Sequence, residues 1–285
     1  MDGFAWTEWR TRIEMHSRAP RLATCIMPTA NRRSFVRQAL RYFLAQDYLE
    51  KELVILDDGE QSVEDLVPPH PQIRYHRGSG RQSVGAKRNR ACEEATGEII
   101  VHWDDDDWSA PWRLSYQIGE LLRTGSDVCG LDRVFFMDPK TQRAWEYVYP
   151  RGGQPWVYGA TLCYRKALWR RNPFPDIDVG EDSLFVWNAQ DARVLALQEN
   201  AFFVGTVHEG NTSPKQVRDP RWQSRPVEML HMLMGNRKFS PTSSGGLRSR
   251  MARSRTAQAS LGSRRSNSAD RSRRRTGASG RRWQE

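Results

Sequence analysis

The chain has 285 residues, of which 38% are hydrophobic and 27% are charged, so it is long enough for one large domain with a buried core. Its formal net charge is +10, and the excess lies at one end, because residues 240–285 contain twelve arginines and two acidic residues. The preceding residues carry equal numbers of acidic and basic groups. This distribution excludes a uniformly basic nucleic-acid-binding domain as the simple interpretation.

The cysteines and the apolar segments limit the class of protein. Cys25, Cys92, Cys129 and Cys163 are widely spaced and form no Cys-x-x-Cys pair, which argues against a disulfide framework or a structural zinc site. Residues 1–20 are a charged extension without the apolar core of a signal peptide. No segment reaches the roughly 20 apolar residues that cross a bilayer. We therefore expect a soluble, cytoplasmic protein with reduced thiols.

Apolar runs and helical periodicity alternate through the first half of the chain. This alternation indicates a mostly parallel α/β sheet covered by helices on both faces. The predicted elements, in order, are a strand at 22–27, a helix at 35–43, strands at 52–56 and 73–75, a helix at 84–95 and a strand at 98–103.

The second half of the chain has more predicted strands and fewer helices. A mixed sheet whose later part completes a pocket is therefore expected. The predicted strands are at 128–137, 145–149, 160–164, 194–197 and 202–207. After about Asn236 the composition changes to Ser, Arg, Gly and Ala, which cannot bury enough surface to fold. The predicted layout is an extension at 1–20, one domain at 21–235 and a disordered tail at 236–285.

Polar segments follow three of the predicted strands. Ligands in open α/β sheets bind beyond the carboxyl ends of the strands, so these segments should meet in one site. They are Pro28-Thr29-Ala30-Asn31-Arg32, Asp57-Asp58-Gly59 and Asp104-Asp105-Asp106-Asp107.

The four consecutive aspartates are the most specific feature of the sequence. Neighbouring carboxylates repel one another, and Mg²⁺ or Mn²⁺ removes that conflict while leaving positions open for phosphate oxygens. Alternate residues such as Asp104 and Asp106 can reach one ion. The alternative is an acidic cap for a helix that begins near Pro111, for which a single aspartate is enough. We favour the metal site.

Four motifs in sequence order resemble those of family 2 glycosyltransferases of the GT-A fold. They are the segment Cys25–Arg32, the segment Leu53–Gly59, the run Gly85-Ala86-Lys87-Arg88-Asn89, and the aspartates followed by Trp108 and Pro111. The resemblance covers about residues 21–210 and implies a Rossmann-like, mixed but mostly parallel sheet flanked by helices. It also implies inverting transfer from a nucleotide-sugar, with a UDP-sugar favoured.

The resemblance implies roles for residues in each motif. Asp104 and Asp106 form the Asp-x-Asp element, with Asp106 the favoured metal ligand, Asp104 near the ribose or the metal, and His208 a candidate to complete the metal shell. The donor nucleotide is assigned to the first loop, the second strand end, the Ala-Lys-Arg-Asn segment and the aspartates: Pro28, Thr29, Asn31, Arg32, Asp57, Asp58, Arg88, Asp104 and Asp105.

A Gly followed by two acids at a predicted helix start resembles the family's Glu-Asp motif. On that basis Asp182 is the candidate catalytic base, and Glu181 orients either the acceptor or Asp182. The alternative is again helix capping. Trp108, Trp112, Trp156 and Trp187 lie near the motifs and are candidates for stacking on acceptor sugars, although core packing is the commoner role of tryptophan.

The sequence also departs from the family pattern. Ala30 occupies a position in the first loop where the family frequently has an aromatic residue. Asp105 replaces the usual neutral residue between the two aspartates of the Asp-x-Asp element, so the sequence does not decide which pair of aspartates holds the ion. The Gln-x-x-Arg-Trp element of processive synthases is absent, since Gln216 lies too far from Arg221. Without transmembrane helices, transfer of a single sugar to a sugar, lipid-linked or polysaccharide acceptor is favoured over polymer extrusion.

Two other functions compete with this interpretation. A sugar-phosphate nucleotidyltransferase uses a similar fold and metal, but those enzymes begin with a Gly-rich basic loop that residues 28–32 do not match. A non-enzymatic protein that binds RNA or another anionic polymer through the arginine tail would show steep salt dependence. Nothing interleaves the tail arginines with stacking aromatics before Trp283, so we rank this function lower.

Overall fold

The computed structural model describes residues 21–150 and 152–235. The extension predicted for residues 1–20 and the disordered tail predicted for residues 236–285 lie outside the described residues. Among the described helices, none is long and apolar enough to cross a bilayer.

Strands and helices alternate in the order that the sequence predicts for the first half. The strands are β1 (Ala23–Thr29), β2 (Lys51–Asp57), β3 (Ile73–Arg77), β4 (Ile99–His102), β5 (Trp108–Ser109), β6 (Val128–Gly130), β7 (Arg133–Asp138), β8 (Arg143–Val148), β9 (Cys163–Arg165), β10 (Val194–Ala196), β11 (Phe203–Thr206) and β12 (Trp222–Arg225). The α-helices are α1 (Arg33–Leu44), α2 (Val84–Glu94), α3 (Arg113–Thr124), α4 (Lys166–Arg171), α5 (Glu181–Asn188) and α6 (Val227–Leu233).

The central sheet has seven strands in the order β10-β6-β9-β4-β1-β2-β3. β1 pairs in parallel with β2 and β4, β2 pairs in parallel with β3, and β10 pairs in parallel with β6. Only β9 runs antiparallel to its neighbours, β4 and β6. The mostly parallel sheet confirms the predicted fold class.

Alternate residues of the central strands enter two separate cores, as the two-residue period of a strand requires. Met27 and Leu53 pack in the core that contains Phe43 of α1, whereas Ile26 and Val54 pack in the core that contains Cys92 of α2. Both faces of the sheet are therefore covered, which explains the uninterrupted apolar runs of β1 and β2. All four cysteines are buried with free thiols.

A second sheet contains five strands in the order β12-β8-β7-β11-β5. The prediction of one strand over 128–137 is wrong. The run divides into β6 and β7, which belong to different sheets. At the break, the backbone N–H of Leu131 donates to Oγ1 of Thr161 at 2.9 Å, so a side chain takes the place of a ladder partner.

Four short elements are absent from the sequence-based prediction: α4 with six residues, α6 with seven, β12 with four and β5 with two. Each contains too few repeats of the helical or strand period for its hydrophobic pattern to be recognised. The longer helices have recognisable ends. The hydroxyl of Ser83 accepts the N–H of Ala86 at the start of α2, and Gly125 follows α3 with a φ of 65°.

The carboxyl ends of three neighbouring parallel strands place the polar motifs together. β1 ends at Thr29, β2 ends at Asp57 and β4 ends at His102, directly before the aspartates. The loop after β11 and the start of α5 meet these strand ends through the contacts described next.

Candidate functional site

The first two strand ends are tied to each other by backbone and amide contacts. Asn31 adopts a left-handed φ of 57°, which asparagine tolerates better than most residues. Its Oδ1 accepts the N–H of Glu60 at 2.8 Å. A Cβ on Gly59 would overlap the backbone N of Asn31, so only glycine fits there. These contacts give the loop after β1 a fixed shape.

Asp57 has no exposed surface and serves the loop that follows β2. Its Oδ1 accepts the N–H of Gly59 at 2.9 Å, and its Oδ2 accepts the N–H of Val63 and the hydroxyl of Tyr75, each at 2.9 Å. Arg77 adds an ion pair at 3.0 Å. Both carboxylate oxygens of Asp57 are therefore engaged within the protein, and its place in the donor-nucleotide site stays a prediction.

Asp58 is also engaged within the chain. Its Oδ1 accepts from Nζ of Lys87 at 2.7 Å, its Oδ2 accepts the N–H of Gln82 at 2.7 Å, and its side chain is 2% exposed. A base contact by Asp58 therefore requires the Lys87 or Gln82 contact to open. Lys87 precedes Arg88 in the Gly85–Asn89 motif, and its contact with Asp58 is not predicted from the sequence.

Arg32 joins the first loop to the aspartate run. Its Nη1 lies 3.1 Å from Oδ1 of Asp105 and 2.5 Å from Oδ2 of Asp106, and its Nη2 donates to the carbonyl of Gly210. The hydroxyl of Thr29 donates to Oδ2 of Asp105 at 2.6 Å.

Asp105 is buried beneath the first loop. Its side chain is 2% exposed, and its expected contact with the donor nucleotide stays a prediction. Burial raises the pKa of Asp105 to about 7, although Arg32 and the hydroxyl of Thr29 act in the opposite direction. Arg32 is half-buried against the same carboxylates, and in this arrangement its guanidinium pairs with Asp105 and Asp106.

Asp106 faces His208 from the loop after β11. Nε2 of His208 lies 2.9 Å from Oδ2 of Asp106. The imidazole stacks on Phe35 of α1 with 4.7 Å between the ring centroids. Nδ1 of His208 accepts the N–H of Gly210 at 3.1 Å. Because Nδ1 is an acceptor, the neutral ring carries its proton on Nε2 and donates it to Asp106.

Asp104 contacts Arg88 and not Arg32. Its Oδ1 is 3.6 Å from Nη2 of Arg88, whose Nε is in turn 3.3 Å from Oε1 of Glu181. Nη1 of Arg88 lies against the imidazole of His102, in contact with Nδ1 and 3.0 Å from Nε2, and Nδ1 of His102 lies 2.7 Å from the carbonyl oxygen of Gly159. Arg88 therefore connects the aspartate run, through contacts on both sides, to the first residue of α5.

Arg88 and Glu181 are buried next to each other. The side chain of Arg88 is 6% exposed and lies between carboxylates, and its predicted contact with the donor nucleotide stays a prediction. Burial raises the pKa of Glu181 to about 7, against the lowering effect of Arg88, and the neighbouring Asp182 raises it further. The predicted role of Glu181, which is to orient either the acceptor or Asp182, also stays a prediction.

Asp182 begins the exposed side of α5, after Gly180 in a left-handed conformation with φ of 85°. Its Oδ1 accepts the N–H of Ser183 at 2.7 Å, which leaves Oδ2 to face Gly159. A Cβ on Gly159 would overlap Oδ2 of Asp182. The carbonyl of Gly159 holds His102, so the candidate base, Arg88 and the aspartate run belong to one connected group.

Asp107 anchors the aspartate run to the second sheet. Its Oδ1 accepts the N–H of Thr206 at 2.8 Å, and the hydroxyl of Thr206 donates to the carbonyl of Asp106 at 2.5 Å. Burial, with the nearby charges of Asp106 and Asp104, raises the pKa of Asp107 well above its ordinary value. The sequence gives no signal for Thr206, because its partner lies about 100 residues earlier.

These residues fit a divalent cation held in part by the substrate. Within residues 21–150 and 152–235, no three His, Cys, Asp or Glu side chains are grouped to hold one ion, so the predicted set of Asp104, Asp106 and His208 is not assembled. Mg²⁺ and Mn²⁺ in nucleotide sites need only one or two carboxylates, since phosphates and water supply the other oxygens. Asp106 fits that demand. Burial raises the pKa values of Asp105 and Asp107, and the charge of the neighbouring Asp106 raises both further.

The family model described as glycosyl transferase family 2 matches residues 24–177, which is more than half of the chain. The chain belongs to glycosyl transferase family 2. The matched span contains the first loop, Asp57 and Asp58, Arg88 and the aspartate run. Asp182 and His208 lie after it, so their place in this family 2 enzyme rests on the geometry above.

Similar proteins carry glycosyltransferase names. A protein of Escherichia coli strain K12, "Putative colanic acid biosynthesis glycosyl transferase WcaA", is 37% identical over 195 residues, which are 66% of this chain and 67% of that protein. A Campylobacter jejuni protein, named GalNAc(5)-diNAcBac-PP-undecaprenol beta-1,3-glucosyltransferase, is 28% identical over 94 residues, or 31% of this chain and 30% of that protein. The family 2 chain thus spans two thirds of the first relative and less than a third of the second.

Two solved structures share the fold of this family 2 enzyme. The mannosyltransferase PcManGT from Pyrobaculum calidifontis, in complex with GDP-Man and Mn²⁺, gives a TM-score of 0.55 at 20% identity and covers 73% of this chain and 66% of that chain. TarS from S. aureus, in complex with UDP-GlcNAc, gives a TM-score of 0.53 at 21% identity and covers 67% of this chain and 60% of that chain. The likeness shows the GT-A type fold.

Proposed function

We propose that this family 2 enzyme transfers a single sugar from a nucleotide-sugar to an acceptor hydroxyl with inversion at the anomeric carbon, using Mn²⁺ or Mg²⁺ and Asp182 as the base. One observation carries the proposal: Arg88 contacts both Asp104 of the aspartate run and Glu181, the neighbour of Asp182. Arg88 therefore lies between the aspartate run, which suits a metal–diphosphate, and the start of α5, which carries the candidate base Asp182.

The donor end of the proposal rests on Asp106. Its carboxylate is the ligand that we assign to the cation, with Asp104 beside the ribose or the ion and His208 orienting Asp106. A bound cation supplies Lewis-acid stabilisation of the charge that develops on the departing nucleoside diphosphate. TarS is in complex with UDP-GlcNAc, and PcManGT is in complex with GDP-Man and Mn²⁺. Both nucleotides are therefore candidates for this enzyme, and we favour UDP.

The acceptor end rests on Asp182. Its carboxylate accepts the proton of the attacking hydroxyl as the new bond forms at the anomeric carbon and the bond to the diphosphate breaks on the opposite face. The proton ends on Asp182 and the electron pair on the diphosphate, so no covalent sugar–enzyme intermediate is needed. Burial raises the pKa of Glu181 to about 7, so this carboxyl is partly protonated near neutral pH and then adds less repulsion to Asp182 than a fully ionised neighbour would.

The acceptor that we favour is a saccharide, free, lipid-linked or part of a polysaccharide. The E. coli relative carries a name that refers to colanic acid biosynthesis, and the Campylobacter relative carries a name that refers to a saccharide on PP-undecaprenol. Both names describe enzymes that extend a sugar chain.

The experiment is a product analysis with a panel of UDP- and GDP-sugars and saccharide acceptors. We expect release of a nucleoside diphosphate only with Mn²⁺ or Mg²⁺, and an anomeric proton of the product with inverted configuration by NMR. Asp182→Asn should reduce transfer by about 10²–10⁴-fold while the shift in Tm caused by UDP and Mn²⁺ is kept. Release of pyrophosphate, or retention of configuration, would contradict the proposal.

A further inference from the structure

A stacked pair of aromatic side chains lies next to the candidate base. The rings of Tyr149 and Trp156 have 4.7 Å between their centroids and an angle of 16° between their planes. Tyr147 packs against Trp156 at 5.6 Å. All three side chains are partly exposed. Tyr149 and Trp156 therefore stack on each other, and each side chain remains partly exposed to solvent.

Two hydrogen bonds hold this pair against α5. Nε1 of Trp156 donates to Oγ of Ser183 at 3.3 Å, and Nε1 of Trp187 donates to the carbonyl of Pro155 at 3.0 Å. Ser183 is the residue after Asp182. The pair is thus fixed to the same turn of helix that carries the candidate base.

The backbone after Trp156 leads directly to that base. Three residues later, Gly159 packs so closely on Asp182 that a Cβ would overlap Oδ2. The segment from 155 to 159 therefore places the aromatic pair at one end and the base carboxylate at the other. The contact between Nε1 of Trp156 and Oγ of Ser183 at 3.3 Å places the indole beside the residue that follows Asp182.

The environment of the pair differs from that of a core aromatic. Phe136 is 2% exposed, Trp145 is 4% exposed and Phe203 has no exposed surface, and all three belong to the main core. Tyr149 lies outside every apolar core of the described residues, and Trp156 is pinned by its polar atom. Core packing explains the first three side chains, whereas Tyr149 and Trp156 pack on each other at the partly exposed edge of the domain.

We infer that Tyr149 and Trp156 form the acceptor subsite of this enzyme and bind a pyranose ring of a saccharide. A pyranose with equatorial hydroxyls presents a flat face of C–H groups, which packs on the electron-rich face of an aromatic ring while the hydroxyls stay in water. The pyranose has an apolar C–H face and polar hydroxyls, and Tyr149 and Trp156 have apolar ring faces and polar O–H and N–H groups. The inference rests on the proposed function, in which Asp182 takes the proton of the acceptor hydroxyl.

The test measures binding of soluble saccharides to the full chain by saturation-transfer NMR in the presence of UDP and Mn²⁺. The probes are cellotriose, N-acetylchitotriose and mannotriose. We expect saturation on the C–H protons of one ring face with at least one probe. Tyr149→Ala should raise the Kd of that probe by about tenfold or more, and Tyr149→Phe should leave it within about twofold, because the ring is kept.

Two further measurements separate the possible failures. Tyr149→Leu keeps the apolar volume without the ring, so it should behave as Tyr149→Ala if stacking is responsible. The shift in Tm caused by UDP and Mn²⁺ reports the donor site, and it should be equal in all variants. If that shift is present but no probe binds, or if Tyr149→Ala binds as the wild type does, the acceptor subsite is wrong and the proposed function stands. If the shift is absent from the wild type, the proposed function itself fails.

Discussion

Nε2 of His208 donates to Oδ2 of Asp106 at 2.9 Å, while Nδ1 of the same ring accepts the N–H of Gly210 at 3.1 Å. A neutral imidazole carries one proton, and the amide of Gly210 requires the lone pair of Nδ1. The proton therefore sits on Nε2, where a metal ion would otherwise bind. As arranged here, His208 holds and orients Asp106, and direct ligation by Nε2 would require the loop at Gly210 to turn away.

This tautomer leads to a prediction for two substitutions of His208. His208→Ala removes the donor to Asp106 and should weaken Mn²⁺ binding in the presence of UDP by about 10–100-fold. His208→Gln retains an N–H donor but supplies a poor metal ligand, so it should recover most of the lost affinity. The measurement is the free Mn²⁺ concentration by EPR during a titration.

The control for that titration is His231→Ala. His231 lies on α6 and contacts Gln142, far in sequence from the aspartates, so its loss should leave Mn²⁺ binding unchanged. Equal loss of affinity in His208→Gln and His208→Ala would show instead that His208 is a direct ligand, as the sequence analysis expects.

Arg32 stabilises a pair of carboxylates that would otherwise repel each other. Its Nη1 lies 3.1 Å from Asp105 and 2.5 Å from Asp106. Arg32→Gln should lower the free energy of unfolding by about 1–3 kcal/mol at pH 8, since it leaves Asp105 buried without its cation. The loss should be smaller at pH 6, because burial raises the pKa of Asp105 to about 7 and its protonated form needs no cation. Urea unfolding at the two pH values measures both effects.

The adjacent Arg33 supplies a matched control. Arg33 pairs with Asp65 at the surface, so Arg33→Gln should change stability much less and without pH dependence. In an Asp105→Asn background, Arg32→Gln should cost markedly less than in the wild type. Equal costs in the two backgrounds would mean that Arg32 stabilises the fold through its contact with Gly210 and not through Asp105.

The sequence predicts the central sheet well because that sheet depends on local patterns. β1 and β2 are apolar on both faces and end at Thr29 and Asp57, so pattern and turn chemistry agree. The second sheet depends on pairing between distant strands, and the switch at Leu131 rests on a hydrogen bond to Thr161, which no local pattern contains.

The same distinction applies to the candidate site. The motifs identify which segments meet, because the carboxyl ends of parallel strands share one edge. They do not identify which side chains stay exposed. Asp57, Asp105 and Arg88 belong to the motifs, yet each also contacts side chains from other segments, and sequence alone carries no information on those contacts.

Glu181 should make the protein less stable as the pH rises through the acidic range. Its ordinary pKa is about 4.3, and burial raises the pKa to about 7 in the folded state. Between these values the folded state binds more protons than the unfolded state, so the free energy of unfolding falls from pH 4 to pH 7 and then levels off. Glu181→Gln should reduce this decline by roughly 3–4 kcal/mol.

The decline should be reduced and not abolished, because burial raises the pKa of Asp105 and Asp107 as well. Chemical denaturation at pH 4.5, 6 and 8 measures the slope. Glu209→Gln is the control, since Glu209 is an exposed partner of Lys140 and should leave the slope unchanged. An unaltered slope in Glu181→Gln would mean that Glu181 is ionised throughout, as a direct partner of Arg88.

Gly159 controls the position of the candidate base by having no side chain. In Gly159→Ala the added methyl group overlaps Oδ2 of Asp182, so the carboxylate must move by about an ångström. A displacement of that size should lower kcat by about 10–100-fold and leave the KM for the nucleotide-sugar unchanged, because the donor carboxylates do not contact the methyl group. Steady-state kinetics with varied donor measure both values.

Two comparisons make this prediction specific to Asp182. Gly80→Ala should be neutral, since a Cβ there has nothing within 4 Å. In an Asp182→Asn background, Gly159→Ala should produce little further loss, because substitutions that act through the same group are not additive. If Gly159→Ala lowers kcat by the same factor in both backgrounds, the methyl group acts elsewhere, for instance through the contact between the Gly159 carbonyl and His102, and the assignment of Asp182 as the base loses this support.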